Sequence, residues 1–139
     1  MSHLPAFRQL QNFIGEQTAR KPRKKGVKPE SANALTRRIV EHIRNRGHFA
    51  TRLQSTGTYR DDLKKFVPSQ QRLGLPDVMA VVGGRSAFIE IKVGRDTLSK
   101  DQKKAIAELQ QAGAAVFIAH DFDSFQAWFQ AEFLTPPFA

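Results

Sequence analysis

Two adjacent glycines, Gly83 and Gly84, separate the apolar runs VMAVV and AFI. Such a pair between two apolar stretches is a strong signal for a two-residue β-hairpin, because glycine accepts positive φ at both central positions. If the glycines are the whole turn, Val82 faces Arg85, and every other cross-strand pair follows. Asp77 then falls opposite Glu90. Directly opposed side chains share a face, with β-carbons roughly 4.5–5.5 Å apart. Lys92 lies two residues beyond Glu90 and projects from that same face.

Two carboxylates held this close repel unless a cation neutralises them. Oxygen ligands at this density suit magnesium or manganese, and the backbone carbonyl of Ile91 is a further candidate ligand. A bound cation acidifies a coordinated water and stabilises charge on a phosphoryl group. Lys92 would orient the attacking water and offset charge on the scissile phosphate. The chemistry expected of Asp77, Glu90 and Lys92 is therefore phosphodiester hydrolysis. A surface ion pair at a strand end would use the same residue types. The cross-strand register, which gathers all three, separates the two readings.

Around this hairpin the chain reads as an N-terminal unit, residues 1–29, and a main domain, residues 30–139. Phe7, Leu10 and Ile14 have the spacing of an amphipathic helix over 4–18. The linker 19–29 carries six Lys/Arg and no acid between Arg20 and Lys28. Arg23, Lys24 and Lys25 are placed there to lie along phosphates, and a solvated linker is the competing reading. In the main domain a helix is expected over 31–46, a strand over 48–54, and a long polar connection over 55–76 with a short helix near Asp61–Phe66. Strands 77–82 and 85–92, a helix over 99–112, a strand over 115–119 and a last helix over about 123–133 follow. The 85–119 stretch is a β-α-β unit with parallel strands. The fold class is α/β, a mixed sheet flanked by helices.

Charge narrows the partner. Twenty-two Lys/Arg against thirteen Asp/Glu leave a net charge of +9, which suits a polyanion such as DNA. Arg52, Tyr59, Arg60, Lys64, Lys65 and Arg72 are candidates for a DNA-facing rim, with Tyr59 stacking on a base; a solvated polar loop would look the same. His42, His48 and His120 are not spaced as a metal cluster. There are no cysteines, which removes disulfides and thiolate zinc sites and fits a cytoplasmic protein. No apolar run reaches the ~20 residues that cross a bilayer, and no signal-peptide pattern opens the chain.

Pro76-Asp77, twelve intervening residues and then Glu90-Ile91-Lys92 resembles the PD-(D/E)XK nuclease superfamily. DTLSKDQKKAIAELQQAG, residues 96–113, is similar to its VRR-NUC branch, near the Holliday junction resolvase-like enzymes of phages and bacteria. The resemblance covers about residues 30–129. It implies a restriction-endonuclease-like αβββαβ core with an N-terminal helical extension. It also implies a magnesium-dependent endonuclease acting on DNA, including branched DNA, in repair or recombination. Asp77 and Glu90 match the metal-binding carboxylates, Lys92 the catalytic lysine and Gln102 the glutamine of the helix that follows. Gln102 also completes a capping box with Ser99, which would need no site role. A helix-borne glutamate beside the metal matches Glu30, at the helix start, or Glu41, in its middle; at Glu30 the helix dipole alone would favour an acid. Relatives of this kind work as homodimers, for which the N-terminal helix and Trp128 are candidate contacts. A non-catalytic DNA-binding factor that kept the fold is the alternative. A restriction enzyme that reads its target through 55–76 is a third reading.

Overall fold

The computed structural model of the protein describes residues 28–53 and 57–134. The 4–18 helix and the basic run with Arg23, Lys24 and Lys25 lie outside the described residues. Helix α1 (Ala32–Asn45) is capped by Ser31, whose hydroxyl accepts from the Ala34 N–H at 3.2 Å. It buries Leu35, Ile39 and Ile43 completely, one residue per turn along one stripe. Strand β1 (Phe49–Arg52) follows. The connection after it holds two short strands, β2 (Thr58–Arg60) and β3 (Lys65–Val67). Then come β4 (Val78–Val82), β5 (Arg85–Ile91), α2 (Lys100–Gln111), β6 (Ala115–Ala119) and α3 (Phe122–Phe129).

The main sheet has the order β1-β4-β5-β6. β1 and β5 both pair antiparallel with β4, and β6 joins β5 in parallel. The order helix, three sheet strands, helix, strand is the αβββαβ core, and the sheet is mixed as expected. Val82 pairs with Arg85, and the ladder runs from there to Val78 opposite Ile89. Gly83 and Gly84 have φ of 57° and 79°, which matches a turn needing positive φ twice.

Alternation along the strands divides the core into two unequal layers. One face carries Val78, Ala80, Ala87, Ile89, Ile91, Phe117 and Ala119, packed with Leu35, Ile39, Ile43, Phe125 and Phe129 of α1 and α3. The other carries Val116 and Ile118 under Ile106 of α2, edged by Phe88, Leu98 and Leu109. Glu90 and Lys92 belong by alternation to this second, thinner layer.

Three local expectations are corrected. The segment near Asp61–Phe66 is not helical: β2 and β3 form a separate two-stranded ribbon. Thr58, Tyr59, Phe66 and Val67 are strand formers, and Lys64 takes the left-handed turn conformation at φ 46°. The C-terminal helix changes character, with α3 passing into a π-helical turn, Gln130–Leu134. Phe133 there meets Trp128 edge-on at 5.6 Å and Phe129 at 5.3 Å. Trp128, a candidate for a subunit contact, stacks on Phe117 at 4.9 Å with 15° between rings. Its indole covers the larger core layer of its own chain. No helix among the described residues is long and apolar enough to cross a membrane.

The thin layer hangs on Ile106, which is fully buried. Ile106→Ala should destabilise the protein by about 2–5 kcal/mol. Val81→Ala, on an exposed position of the same sheet, should change stability by roughly 0.5 kcal/mol or less. Urea unfolding of both variants checks the contrast.

Candidate active site

The carboxylate of Glu90 is 2% exposed on a face otherwise lined by apolar side chains. Burial alone disfavours its ionised form, and the nearby Asp77 charge adds to this. Together they raise its pKa from 4.5 to about 8, against the opposing pull of Lys92. Three groups surround that buried carboxylate. The side-chain amide of Gln102 donates to Glu90 Oε1 at 3.0 Å. The Lys92 ammonium, itself 7% exposed, lies 3.6 Å from the same oxygen. Asp77 sits one step beyond the β4–β5 ladder, in the register that puts it across from Glu90. Its Oδ2 accepts the Ile91 N–H at 2.8 Å, and its backbone carbonyl accepts the Leu53 N–H at 2.7 Å. Asp77 thus pins both neighbouring strands at the point where its own strand begins. The carbonyl of Ile91 belongs to the peptide that joins this pinned residue to Lys92.

Gln102 serves both expectations at once. Its side-chain carbonyl oxygen accepts the Ser99 N–H at 2.9 Å, and its backbone N–H donates to the Ser99 hydroxyl at 3.2 Å, which completes the capping box of α2. The NH2 group of the same side chain is left to reach Glu90. The helix cap and the contact with the site are therefore one structure, and α2 is docked by its first turn.

The loop before Asp77 is tied to the same helix. Gly74 adopts φ 82°, and a β-carbon there would collide with the Asp101 backbone. Arg72 pairs with Glu108 of α2, so its guanidinium is committed within the protein and is not a free rim charge. Pro76 is fully buried.

Two residues beside Lys92 escaped the sequence reading. Asp96 Oδ2 accepts from Lys92 Nζ at 3.4 Å, from the turn that follows β5. His120 Nδ1 lies 2.5 Å from the Lys92 carbonyl oxygen. The parallel register would have found it, since Ile91 pairs with Ala119 and each residue is the next in its strand. The acidic candidates on α1 are not brought in. Glu30 pairs with Arg38 at 3.4 Å, and Glu41 lines a cleft with Arg37 and Arg44. Helix α1 packs on the sheet face opposite to the one Glu90 occupies. Among the described residues no cluster of three or more His, Cys, Asp or Glu is placed to hold a metal ion. His42 packs edge-on against Phe122, Phe125 and Phe129; burial, with Arg46 and Arg38 nearby, lowers its pKa.

Of the other rim candidates, Arg52 donates to Asn33 Oδ1 at 2.9 Å. Arg60 is paired with Asp62. Tyr59 stands opposite Phe66 on the β2–β3 ribbon, and both rings are exposed.

The family model of the VRR-NUC domain matches residues 25–122 of the chain. No curated protein matches it. A solved structure described as a VRR_NUC domain superposes with a TM-score of 0.56 at 16% identity, covering 75% of this chain and 100% of that one; at that identity the likeness is one of fold. The family match spans the helix, the sheet and the Asp77–Glu90–Lys92 corner described above. The chain belongs to the VRR-NUC domain family, within the PD-(D/E)XK nuclease superfamily.

Proposed function

We propose that the protein is a divalent-cation-dependent endonuclease that hydrolyses DNA phosphodiester bonds at Asp77, Glu90 and Lys92. The observation that carries this reading is Glu90 Oε2, a buried carboxylate oxygen to which no donor of the protein is directed; without a cation, only a shared proton, which raises the Glu90 pKa, relieves it against Asp77. Gln102 and Lys92 both engage the other oxygen. A buried polar atom left unpaired costs on the order of 1–3 kcal/mol, more when charged, and native proteins keep few of them without a reason. A cation held between Asp77 and Glu90, with the Ile91 carbonyl as a third oxygen, would satisfy Oε2 and relieve the repulsion between the two acids. The donor set is all oxygen, which fits magnesium or manganese. Glu30 remains a candidate fourth ligand only if the start of α1 moves from its pairing with Arg38.

Bound there, the ion would supply Lewis-acid stabilisation of the phosphate and an acidified water. The chain's own groups do the rest. Gln102 fixes the rotamer of Glu90 by holding Oε1. Lys92, flanked by Glu90 and Asp96, stands at the mouth of the pair, where its ammonium offsets charge that develops on the scissile phosphate. His120 holds the peptide that carries Lys92.

The β2–β3 ribbon favours a substrate with unpaired bases. Tyr59 and Phe66 face each other across it and are 58% and 60% exposed, while Arg60 and Lys65 form the neighbouring cross-strand pair. Exposed aromatic rings are a platform on which unstacked bases lie; Arg60 and Lys65, one residue on, alternate to the other side of the ribbon, where Arg60 is paired with Asp62. Flapped DNA exposes such bases, and intact linear duplex does not. Arg23, Lys24, Lys25 and Arg52 are assigned to the phosphate backbone in the same reading. Cutting both strands of a duplex needs two sites, so a homodimer is part of it.

Lys92→Ala should lower the rate of magnesium-dependent cleavage roughly 10²–10³-fold, the usual cost of losing one group that stabilises transition-state charge. Equal rates in the two proteins would remove Lys92 from the mechanism, and no cleavage of linear, flapped or four-way DNA by the wild type would favour the binding-factor alternative. Tyr59→Ala with Phe66→Ala should weaken binding to flapped DNA about tenfold or more, at about 1–3 kcal/mol per stacked base, and leave linear duplex affinity nearly unchanged. The metal fit has its own readout. With the pKa of Glu90 at about 8 in the folded chain and 4.5 in the unfolded one, the folded state binds the extra proton between those values. Stability of the metal-free protein should therefore fall as pH rises from about 4.5 to about 8 and then level off. Glu90→Gln should flatten this dependence, and magnesium should raise the melting temperature of the wild type most at the alkaline end.

A further inference from the structure

A cleft of about 450 Å³ runs between α1 and the edge strand β1, lined by Asn33, Arg37, Glu41, Arg44, Thr51 and Arg52. Three guanidinium groups meet one carboxylate there. Four arginines elsewhere on the described surface are ion-paired, Arg38 with Glu30, Arg60 with Asp62, Arg72 with Glu108 and Arg85 with Glu132, while Arg46 bonds the ring and carbonyl of His42. The cleft arginines are held differently from those four. Arg44 Nε donates to the Ala50 carbonyl at 2.8 Å and Arg52 Nη2 to the Asn33 amide oxygen at 2.9 Å. Both acceptors are uncharged, so these two side chains are positioned while their charge stays available. Arg37 has no ion pair among the described residues. We propose that this cleft is a binding site for the phosphate backbone of the DNA arm that flanks the cleavage point.

Three features point to a run of phosphates. The anchors of Arg44 and Arg52 lie at different places, Ala50 on β1 and Asn33 at the start of α1, so the two groups are not gathered onto one anion. Arg37 and Arg44 are seven residues apart on one helix, about 10 Å along its axis. That is the rise of about three base-pair steps. One end of the cleft also adjoins the candidate active site, because Arg52 immediately precedes Leu53, whose N–H bonds the Asp77 carbonyl. Arg52 pairs with Val78 and so faces the α1 side of the sheet; a strand whose scissile phosphate lies over Asp77 and Glu90 would reach the cleft by passing round the β1 edge at Arg52. The ligand rests on the nuclease reading above; the cleft's charge and geometry do not.

The test measures binding of a short fluorescent DNA duplex, without divalent cation, across a range of sodium chloride. Removing one arginine–phosphate interaction should flatten the slope of log K against log salt by about 0.9. Arg37→Gln should therefore flatten it by about one, and Arg37→Gln with Arg52→Gln by about two. Arg85→Gln, which removes an ion-paired arginine, should leave the slope unchanged. Arg37 makes no bond within the described protein, and its variant should melt like the wild type, so a change in slope is not a folding defect. Slopes equal to the wild type in both cleft variants, or an equal flattening in Arg85→Gln, would overturn the assignment, as would absence of wild-type binding. Competition by inorganic phosphate alone, abolished in Arg37→Gln without a change in slope, would also overturn it, marking a small-anion site. Cleavage is read separately with magnesium. A protein that cleaves with unchanged slopes loses the cleft and keeps the nuclease reading; one that binds through the cleft and never cleaves does the reverse.

Discussion

Glu90 is a carboxylate desolvated at the margin of an apolar layer of the sheet, and the surroundings are arranged to answer that cost. An isolated buried charge is expensive enough that the group shifts its pKa or finds a partner. Here both happen. The pKa rises to about 8, Gln102 donates to one oxygen, and Lys92 sits within ion-pair distance of it. Each response recruits an element. Gln102 ties the first turn of α2 to β5, Lys92 draws in Asp96 from the following turn, and Asp77 pins β1 and β5 where β4 begins. Removing the carboxylate would leave Lys92 with Asp96 as its one acidic partner and take from Gln102 the contact that ties α2 to β5.

The two core layers divide the labour. The α1/α3 layer is large, aromatic and fully packed, with Phe125 and Phe129 almost inaccessible, and it supplies most of the apolar burial that stabilises the domain. The α2 layer is thin, so a charged pair can sit at its margin. Lys92 and Glu90 lie where apolar packing runs out and the strand ends are open. The same division explains why the acids of α1 stay out of the site: their helix covers the opposite face.

Charge on this protein is distributed unevenly in kind as well as in amount. Arginines at several sites are cancelled by acids and contribute little field. Those beside β1 are braced by a carbonyl and an amide, and they leave a positive concavity that ends next to Asp77. The exposed aromatic pair of the β2–β3 ribbon emerges from the connection between β1 and β4.

Gly83-Gly84 made the central geometry legible from the residues alone, because a two-residue turn leaves a single register and a period of two leaves a single face. Ser99-x-x-Gln102 and the Leu35–Ile39–Ile43 stripe were legible for the same reason: each rests on contacts within a few residues. The β2–β3 ribbon was misread because its strands are three residues long, too short to show a period, and the turn between them is set by Lys64 at positive φ. Trp128 was read outward because helical spacing does not say how many faces of α3 are covered; Phe117, from another strand, covers that one. The sequence by itself determined the hairpin, the order of elements and the residues that carry charge at the sheet's end, since local backbone chemistry and side-chain alternation decide these. Only the tertiary structure decided that Glu30 and Glu41 stay apart from Glu90, that Gln102 serves cap and carboxylate together, and that His120 stands beside Lys92, because those facts depend on which face each helix covers and which strands become neighbours.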